Sequence, residues 1–355
     1  MPLGGGNIRQ AEARHGHARG SMLDLSTGIC PRSWPVRPEL VNPAEWHDLP
    51  QQVDETALHD AFRRHAGIPD DAAILTAPGS QLLISLVPLL GKKGPVAIPD
   101  PAYAEHEAAW MRHGYTITRY PAGSNPLSAN TGPDRTSPAS NSFIAVQPGN
   151  PVGEVLSPGV LLEASEKAAD AGGIVVVDEA FADLDPSISL LPHAGRRGLI
   201  IFRSLGKFYG LGGLRLGLAA GHADDIASLA GLMGPWAVST PALRVGAAAL
   251  GDTAFQDDQR AWIRARHDEL ISVLDRHQLT LAGGTGLYAL ISHDDAAGLH
   301  HHLAREGIWT RIFSYNPAWL RLGLPDQAGL GKLDDALSSL PFAHGRNRSI
   351  NVASD

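Results

Sequence analysis

Short runs of apolar residues alternate along this chain with segments whose apolar positions follow helical spacing. The runs are rich in β-branched residues, which predicts strands buried on both faces at 73–76, 95–98, 115–119, 143–146, 174–177 and 199–202. Helical spacing between them predicts helices at 54–66, 80–90, 103–113 and 158–171. This alternation predicts an α/β fold, in which helices cover a mostly parallel sheet.

The two ends of the chain follow other patterns. Residues 1–50 are rich in Gly, Pro, His and Arg without a clean period, which predicts an extended arm that contributes to a small domain and a site. A long helical stretch at 241–277 leads to shorter strand and helix patterns, which predict a smaller α+β domain. The predicted units are the arm at 1–50, a large α/β domain at 51–240, a connecting helix at 241–280, the small domain at 281–345 and a frayed tail at 346–355.

Composition narrows the class of partner. Lys and Arg number 29 against 37 Asp and Glu, a formal net charge of −8 without a sustained basic run, which argues against nucleic-acid and anionic-membrane surfaces. The start of the chain lacks the apolar stretch of a secretory signal, and no window suits a membrane span. Cys30 is the only cysteine, so a reducing compartment is expected. We therefore expect a cytoplasmic protein with a small-molecule partner.

Two of the predicted strands end in residues that can perform chemistry. Asp178 follows one buried run, and Lys207 follows another within a glycine-rich loop that also holds Ser204 and Arg215. This set suits pyridoxal phosphate, which needs a lysine for its aldehyde, an acid for its pyridine nitrogen and donors for its phosphate. A nearby cation predicts a lowered pKa for the Lys207 amine. Taken singly, a helix cap at Asp178 and a solvated surface lysine are the ordinary alternatives.

Further candidates follow other predicted strands. Gly79, Ser80 and Gln81 open a helix and form either a phosphate cup or a simple cap. Asn150 lies where its amide would donate to an oxygen on a bound ring, although Asn-Pro is also a common turn. Tyr103 is either an aromatic that stacks on a planar cofactor or an ordinary core residue.

Charged and histidine side chains near the two ends supply candidates for substrate contact. Arg321 is embedded among apolar residues, which predicts either an anion clamp for the substrate or a buried ion pair. Arg311 lies among apolar residues on a predicted strand, where a position that faces solvent is favoured. His15 and His17 are candidates to meet a doubly anionic substrate, with solvated positions as the ordinary alternative. The 16 histidines form no recognisable metal site, and the consecutive run 300–302 is predicted to be solvated.

The order of these motifs resembles fold-type I pyridoxal-phosphate enzymes, the aspartate aminotransferase superfamily. The motifs are Asn150-Pro-x-Gly, Asp178-Glu-Ala-Phe, Ser204-Leu-x-Lys-x-x-Gly-x-x-Gly-x-Arg215 and the late Arg321. Five further segments are similar to the threonine-phosphate decarboxylases of cobalamin biosynthesis, relatives of the histidinol-phosphate aminotransferases: 23–31, 77–81, 103–106, 234–238 and 283–285. The resemblance implies decarboxylation of L-threonine O-3-phosphate to (R)-1-amino-2-propanol O-2-phosphate by a homodimer whose sites lie at the subunit interface.

The resemblance also implies a role for each matching residue. Lys207 would hold the cofactor covalently, Asp178 would pair with its pyridine nitrogen, and Asn150 would contact its ring hydroxyl. Tyr103 would stack on the ring, above a phosphate cup formed by Gly79, Ser80, Gln81, Ser204 and Arg215. Arg321 would grip an anionic end of the substrate, carboxylate or phosphate, against the backbone at Gly28.

One departure from the family bears on the reaction. Phe181 stands where many aminotransferases have tyrosine, so no phenol at this position can donate to the ring oxygen. This departure weakens the aminotransferase interpretation. Decarboxylation, which the resemblance implies, is the leading hypothesis, and an aminotransferase of the histidinol-phosphate type is the runner-up. A third possibility, a cofactor-binding module without catalysis, is disfavoured because Lys207 is retained.

Overall fold

A computed structural model describes residues 5–91, 94–130 and 140–340 of the chain. Its strands are β1 Leu23–Asp24, β2 Ala73–Ala77, β3 Val96–Asp100, β4 Ile117–Pro121, β5 Ser142–Val146, β6 Val175–Asp178, β7 Leu199–Ser204, β8 Gly217–Gly221, β9 Thr280–Thr285, β10 Tyr288–Ser292, β11 Ile308–Trp309, β12 Arg311–Phe313 and β13 Asn316–Gly323. Its α-helices are α1 Ile8–His15, α2 Gln52–Ala66, α3 Ser80–Leu86, α4 Ala104–Arg112, α5 Pro158–Asp170, α6 Ala223–Met233, α7 Thr240–Gly251, α8 Thr253–Arg276, α9 Ala296–Arg305 and α10 Gln327–Ser338.

The larger sheet is mostly parallel, as the sequence predicts. It has seven strands in the order β2-β8-β7-β6-β5-β3-β4, and β8 is antiparallel to both of its neighbours. The register pairs Asp178 at the end of β6 with Val146 on β5 and Phe202 on β7. The carboxyl ends of these three strands therefore meet at one edge, where the loops that follow them converge.

Both faces of this sheet are buried. On β6, Val175 and Val177 pack into one apolar cluster, whereas Val176 packs into a second cluster on the opposite face. Successive side chains of a strand point to opposite faces, so a strand covered on both sides requires an uninterrupted apolar run. This requirement explains why apolar runs in the sequence predicted the positions of the central strands.

The smaller sheet is antiparallel, in the order β12-β13-β10-β9. The start of the chain joins this part of the molecule, because β1 pairs in parallel with β11 and places Leu23 beside Ile308. The prediction of an extended arm was wrong for residues 8–15, which form α1. This helix buries Ala11 in an apolar cluster with Trp309.

Several elements differ from the prediction. The stretch 241–277 forms α7 and α8, separated at Asp252, whose side chain accepts a hydrogen bond from Phe255 N and caps α8. The strands β8 and β13 and the helices α6 and α10 were not predicted from the sequence. The boundaries between domains stay predictions, and the tail at 346–355 lies outside the described residues. Within the described part, no helix is both long and apolar enough to cross a membrane.

The histidine run on α9 was predicted to be solvated, and this was wrong for two of its three members. His300 and His302 are 4% and 7% exposed, and only His301 faces outward. Nδ1 of His300 lies 2.7 Å from Thr310 Oγ1, and Nε2 of His302 lies 2.8 Å from the carbonyl oxygen of Ala336. Both rings are buried because α9 packs between the sheet and α10, where each finds a polar partner.

Candidate active site

A cavity of about 510 Å³ opens at the carboxyl edge of the large sheet. It is lined by the loops that follow β5, β6 and β7, by the starts of α3 and α4, by the hairpin of β12 and β13, and by residues 26–27 near the start of the chain. These lining residues include ten of the sequence-predicted site residues: Ser80, Gln81, Tyr103, Asn150, Asp178, Ser204, Lys207, Arg215, Arg311 and Arg321.

Lys207 is the amine of this cavity. Its Nζ lies 5.4 Å from the centre of the Phe181 ring. Burial, and next the Arg321 guanidinium, lower the pKa of Lys207 to about 8, while the Asp178 carboxylate acts in the opposite direction. The lowered pKa predicted from the sequence is confirmed. At neutral to mildly basic pH, this amine is neutral far more often than an ordinary lysine, so it can act as a nucleophile and proton carrier.

Asp178 is held from two sides at the end of β6. Its Oδ1 accepts a hydrogen bond from Ala180 N at 3.1 Å, and its Oδ2 lies 3.0 Å from Nε2 of His106. Both side chains are buried, and Nδ1 of His106 has no hydrogen-bond partner among the described residues. His106 therefore orients the carboxylate toward the cavity. This role of His106 could not be predicted from the sequence, because His106 lies on α4, 72 residues before Asp178.

Arg215 covers the start of α3. Its backbone is in the left-handed region at φ 55°, and a Cβ added to Gly79 would lie 2.5 Å from Arg215 Nη2. The guanidinium therefore reaches the helix start only because Gly79 has no side chain. The first N–H groups of a helix have no partner within it, so Ser80 contributes both an amide and a hydroxyl beside this cation. Ser204 lies on the same cavity wall. These donors lie together where the sequence predicts a phosphate cup, and we call this group the anion cup, whose ligand stays a prediction.

Gln81 and Tyr103 bind each other at the rim of the cavity. The Tyr103 hydroxyl donates to Gln81 Oε1 at 3.0 Å, and Gln81 Nε2 donates to Glu105 at 3.2 Å. The Gln81 side chain is thus engaged with its neighbours. Burial raises the pKa of Tyr103 to about 12. Its ring lines the cavity beside His106, at a position where stacking on a planar ligand stays a prediction.

Arg321 is a buried cation without a carboxylate partner among the described residues. It is 9% exposed, and its guanidinium donates to Asn150 Oδ1 at 2.6 Å and to the Ser26 carbonyl at 2.9 Å. In the part of the chain that the structure describes, its Nε has no hydrogen-bond partner, and the guanidinium lies 4.9 Å from the centre of the Tyr288 ring. Burial lowers the pKa of Arg321. An unneutralised cation in such a setting is costly unless an anion binds there. The contact also leaves Nδ2 of Asn150 as a donor.

A second arginine lies beside Arg321. Arg311 is directly opposite it in the antiparallel register of β12 and β13, and both line the cavity. Like charges at opposed positions repel each other, and a bound anion removes that repulsion. With Lys207 and Arg215, four cations line the cavity, against the carboxylates of Asp178 and Glu105. The cavity therefore favours anionic ligands.

The structure places two sequence candidates differently. A Cβ on Gly28 would lie 2.7 Å from the Phe181 ring, so Gly28 packs behind Phe181, next to the cavity-lining Thr27. The contact of His15 with a substrate stays a prediction, because His15 does not line the cavity formed within the described part of this chain. His15 lies on α1 with its ring 5.9 Å from that of Trp309, and the cavity lining does not include it.

Replacement of Gly28 by alanine tests the close approach behind Phe181. The added methyl group would overlap Phe181 and lie 3.1 Å from Tyr288, both of which are buried. We expect Gly28→Ala to lower the free energy of unfolding by about 1–3 kcal/mol, measured by urea denaturation. Gly213→Ala is the matched control, because its added Cβ meets nothing within 4 Å. Equal stability of the two variants would contradict this packing.

Comparison with known proteins identifies a family and similar relatives. Residues 45–337 match the family model for aminotransferase class I and II. The chain is 41% identical over 346 residues to a threonine-phosphate decarboxylase of Sinorhizobium, covering 95% of this chain and 97% of the relative. It is 37% identical to a threonine-phosphate decarboxylase of Pseudomonas aeruginosa, covering 94% of this chain and 96% of the relative.

A solved structure shares the fold. The histidinol-phosphate aminotransferase of Sinorhizobium meliloti, in complex with pyridoxal-5'-phosphate, superposes with a TM-score of 0.79 at 18% identity and covers 96% of each chain. At this level of identity the similarity concerns the arrangement of helices and strands, which agrees with the fold class predicted from the sequence.

Proposed function

The chain belongs to the aminotransferase class I and II family, and we propose that it is a pyridoxal-phosphate-dependent decarboxylase of L-threonine O-3-phosphate. The products are (R)-1-amino-2-propanol O-2-phosphate and carbon dioxide, and the reaction serves cobalamin biosynthesis. Two relatives named threonine-phosphate decarboxylase support this proposal, since they are 41% and 37% identical over nearly the whole chain. The observation that carries it is the cavity that joins Lys207, Asp178 and the buried Arg321, which has no carboxylate partner among the described residues.

The residues of the cavity fit the cofactor. Lys207 provides an amine whose pKa of about 8 suits attachment to an aldehyde. Asp178, fixed by His106, provides an acid for a pyridine nitrogen, and Asn150 provides an amide donor for a ring oxygen. The anion cup of Gly79, Ser80, Gln81, Ser204 and Arg215 suits a phosphate group. The chemistry that pyridoxal phosphate supplies when bound is an electron sink for a bond at the substrate's α-carbon.

The remaining cations suit a substrate with two anionic groups. Arg321 and Arg311 lie on the side of the small sheet, and the cup at Arg215 lies on the side of the large sheet. We propose that Arg311 and Arg321 bind anionic groups of the substrate and so orient its α-carbon for the loss of carbon dioxide. Lys207, freed from its attachment, then returns a proton at the α-carbon. Gly28 supports this side because its lack of a side chain leaves room for the Phe181 ring.

Phe181 separates decarboxylation from the runner-up, an aminotransferase of the histidinol-phosphate type. It is 3% exposed and packs edge-on against Tyr288, 5.3 Å between ring centres. The hydroxyl of Tyr288 donates instead to the carbonyl of Gly149, so neither ring offers a phenol at this wall. This lack of a donor favours decarboxylation in our proposal, although the two reactions share most of their site residues.

The experiment that tests this function measures the release of carbon dioxide and the transfer of the amino group in the same reaction. Purified protein loaded with pyridoxal phosphate is incubated with L-threonine O-3-phosphate, with and without 2-oxoglutarate. We expect carbon dioxide and the aminopropanol phosphate in equal amounts, at a rate that 2-oxoglutarate does not change. Formation of glutamate without carbon dioxide would establish the aminotransferase and overturn the proposal.

The pH dependence of cofactor attachment follows from Lys207. Its amine must be neutral to react, and its pKa of about 8 lies below that of an ordinary lysine. Since a lowered pKa leaves the amine neutral above about 8, attachment should accelerate as pH rises and level off above that value. Stopped-flow absorbance of cofactor-free protein mixed with pyridoxal phosphate from pH 6 to 10 measures this. A rate that still climbs steeply above pH 9 would contradict the assignment.

We also propose a homodimer in the cytoplasm. Large apolar side chains are exposed around two adjoining surface grooves, Trp46 at 68%, Leu49 at 57% and Trp236 at 61%. Apolar patches of this kind mark interfaces between proteins. The lone, buried Cys30 supports a reducing compartment. Sedimentation is expected to give a dimer, and a fully active monomer would remove this part of the proposal.

A further inference from the structure

A tight aromatic hairpin overhangs the cavity. Phe313 on β12 pairs with Asn316 on β13, so Ser314 and Tyr315 form the turn between the strands. The Tyr315 ring lies 5.3 Å from that of Phe313 and 6.3 Å from that of Trp319. These contacts hold Tyr315 at the mouth of the cavity, which it lines together with Phe313. The position of this exposed tyrosine is therefore set by packing.

The hydroxyl of Tyr315 is an available donor beside two cations. Burial raises the pKa of Tyr315 to about 12, against the opposing effect of Arg321 and Arg311, so the phenol keeps its proton at neutral pH. Tyr315, Arg311 and Arg321 all line the same cavity. In the described part of the chain, the hydroxyl makes no hydrogen bond. A donor of this kind is available to a ligand.

We propose that Tyr315 is a specificity-determining residue, which donates a hydrogen bond to the phosphate group of the substrate beside Arg311 and Arg321. A phosphate carries close to two negative charges and three strong acceptor oxygens, which match two guanidiniums and one hydroxyl better than a carboxylate does. The assignment rests on the proposed function, because it requires a phosphorylated substrate. It extends that function by naming the group that distinguishes L-threonine O-3-phosphate from L-threonine.

The test is Tyr315→Phe, which keeps the ring contacts with Phe313 and Trp319 and removes only the hydroxyl. Cofactor-loaded protein is titrated with L-threonine O-3-phosphate and separately with L-threonine, and the absorbance of the bound cofactor reports binding. We expect the dissociation constant of the phosphorylated ligand to rise about tenfold, the size typical of a hydrogen bond to a charged group, and that of L-threonine to stay within about twofold. In turnover, KM should rise and kcat should hold.

Tyr115→Phe is the matched control. Its hydroxyl donates to the carbonyls of Gly91 and Pro88 at 2.6 Å and 2.8 Å, and the residue does not line the cavity. This control should leave the ratio of the two dissociation constants unchanged. An equal effect of Tyr315→Phe on both ligands, or no effect on either, would overturn the assignment. Absence of carbon dioxide release by the unaltered protein would instead refute the proposed function, while the two titrations still report on Tyr315.

Discussion

Replacement of Lys207 by alanine should reduce carbon dioxide release from L-threonine O-3-phosphate by at least about 10³-fold, the largest loss that we expect from a single substitution. The variant loses the covalent attachment of the cofactor and the group that returns a proton to the α-carbon, and proton transfer alone contributes about 10²–10⁴-fold. Phe181 and Arg321, which surround the amine, offer no other nucleophile. Release of labelled carbon dioxide measures the loss.

Lys167→Ala is the matched control for this variant. Lys167 is exposed on α5, where its amine donates to Glu163, and it lies away from the cavity. We expect the control to keep its activity. Full turnover by Lys207→Ala would contradict the assignment of Lys207 to the active site. It would favour the hypothesis that the chain is a cofactor-binding module without catalysis.

Asp178→Asn should lower kcat by about 10²–10³-fold, a size typical of lost electrostatic stabilisation in an enclosed site. Asparagine keeps the shape of the side chain but has no negative charge to hold a pyridine nitrogen in its protonated form. Its amide would also meet Nε2 of His106, which now lies 3.0 Å from the carboxylate. Single-turnover kinetics with saturating substrate separate this loss from weaker binding.

The control for Asp178→Asn removes a charge elsewhere. Asp170→Asn lies at the exposed end of α5, and its activity should match that of the unaltered protein. If Asp178→Asn retained more than about a tenth of the original kcat, the carboxylate would have no part in the chemistry.

The sequence predicted the centre of the fold well for a physical reason. Strands covered on both faces need continuous apolar runs, so β6 and β7 could be located directly from the pattern, and parallel strands bring their carboxyl ends to one edge. Asp178 and Lys207 follow such runs and do line one cavity. Elements with small or mixed residues were missed. The run Gly217–Gly221 of β8 consists largely of glycine and alanine, which show neither the alternation typical of a strand nor the spacing typical of a helix.

Other features depend on contacts between distant segments, which a single sequence does not reveal. His106 orients Asp178 only because α4 packs near the end of β6. The buried positions of His300 and His302 require α10 and Thr310 as partners. Arg311 and Arg321 become neighbours through the register of the hairpin. The sequence shows that these residues are present, but only the folded structure shows which residues they contact.

The most direct test of the account is to locate the cofactor on the chain. Protein loaded with pyridoxal phosphate is reduced with borohydride, digested, and mapped by mass spectrometry. We predict one modified residue, Lys207, and no modification in the Lys207→Ala variant. A label on another lysine, or no label on the unaltered protein, would contradict the assignment of this cavity.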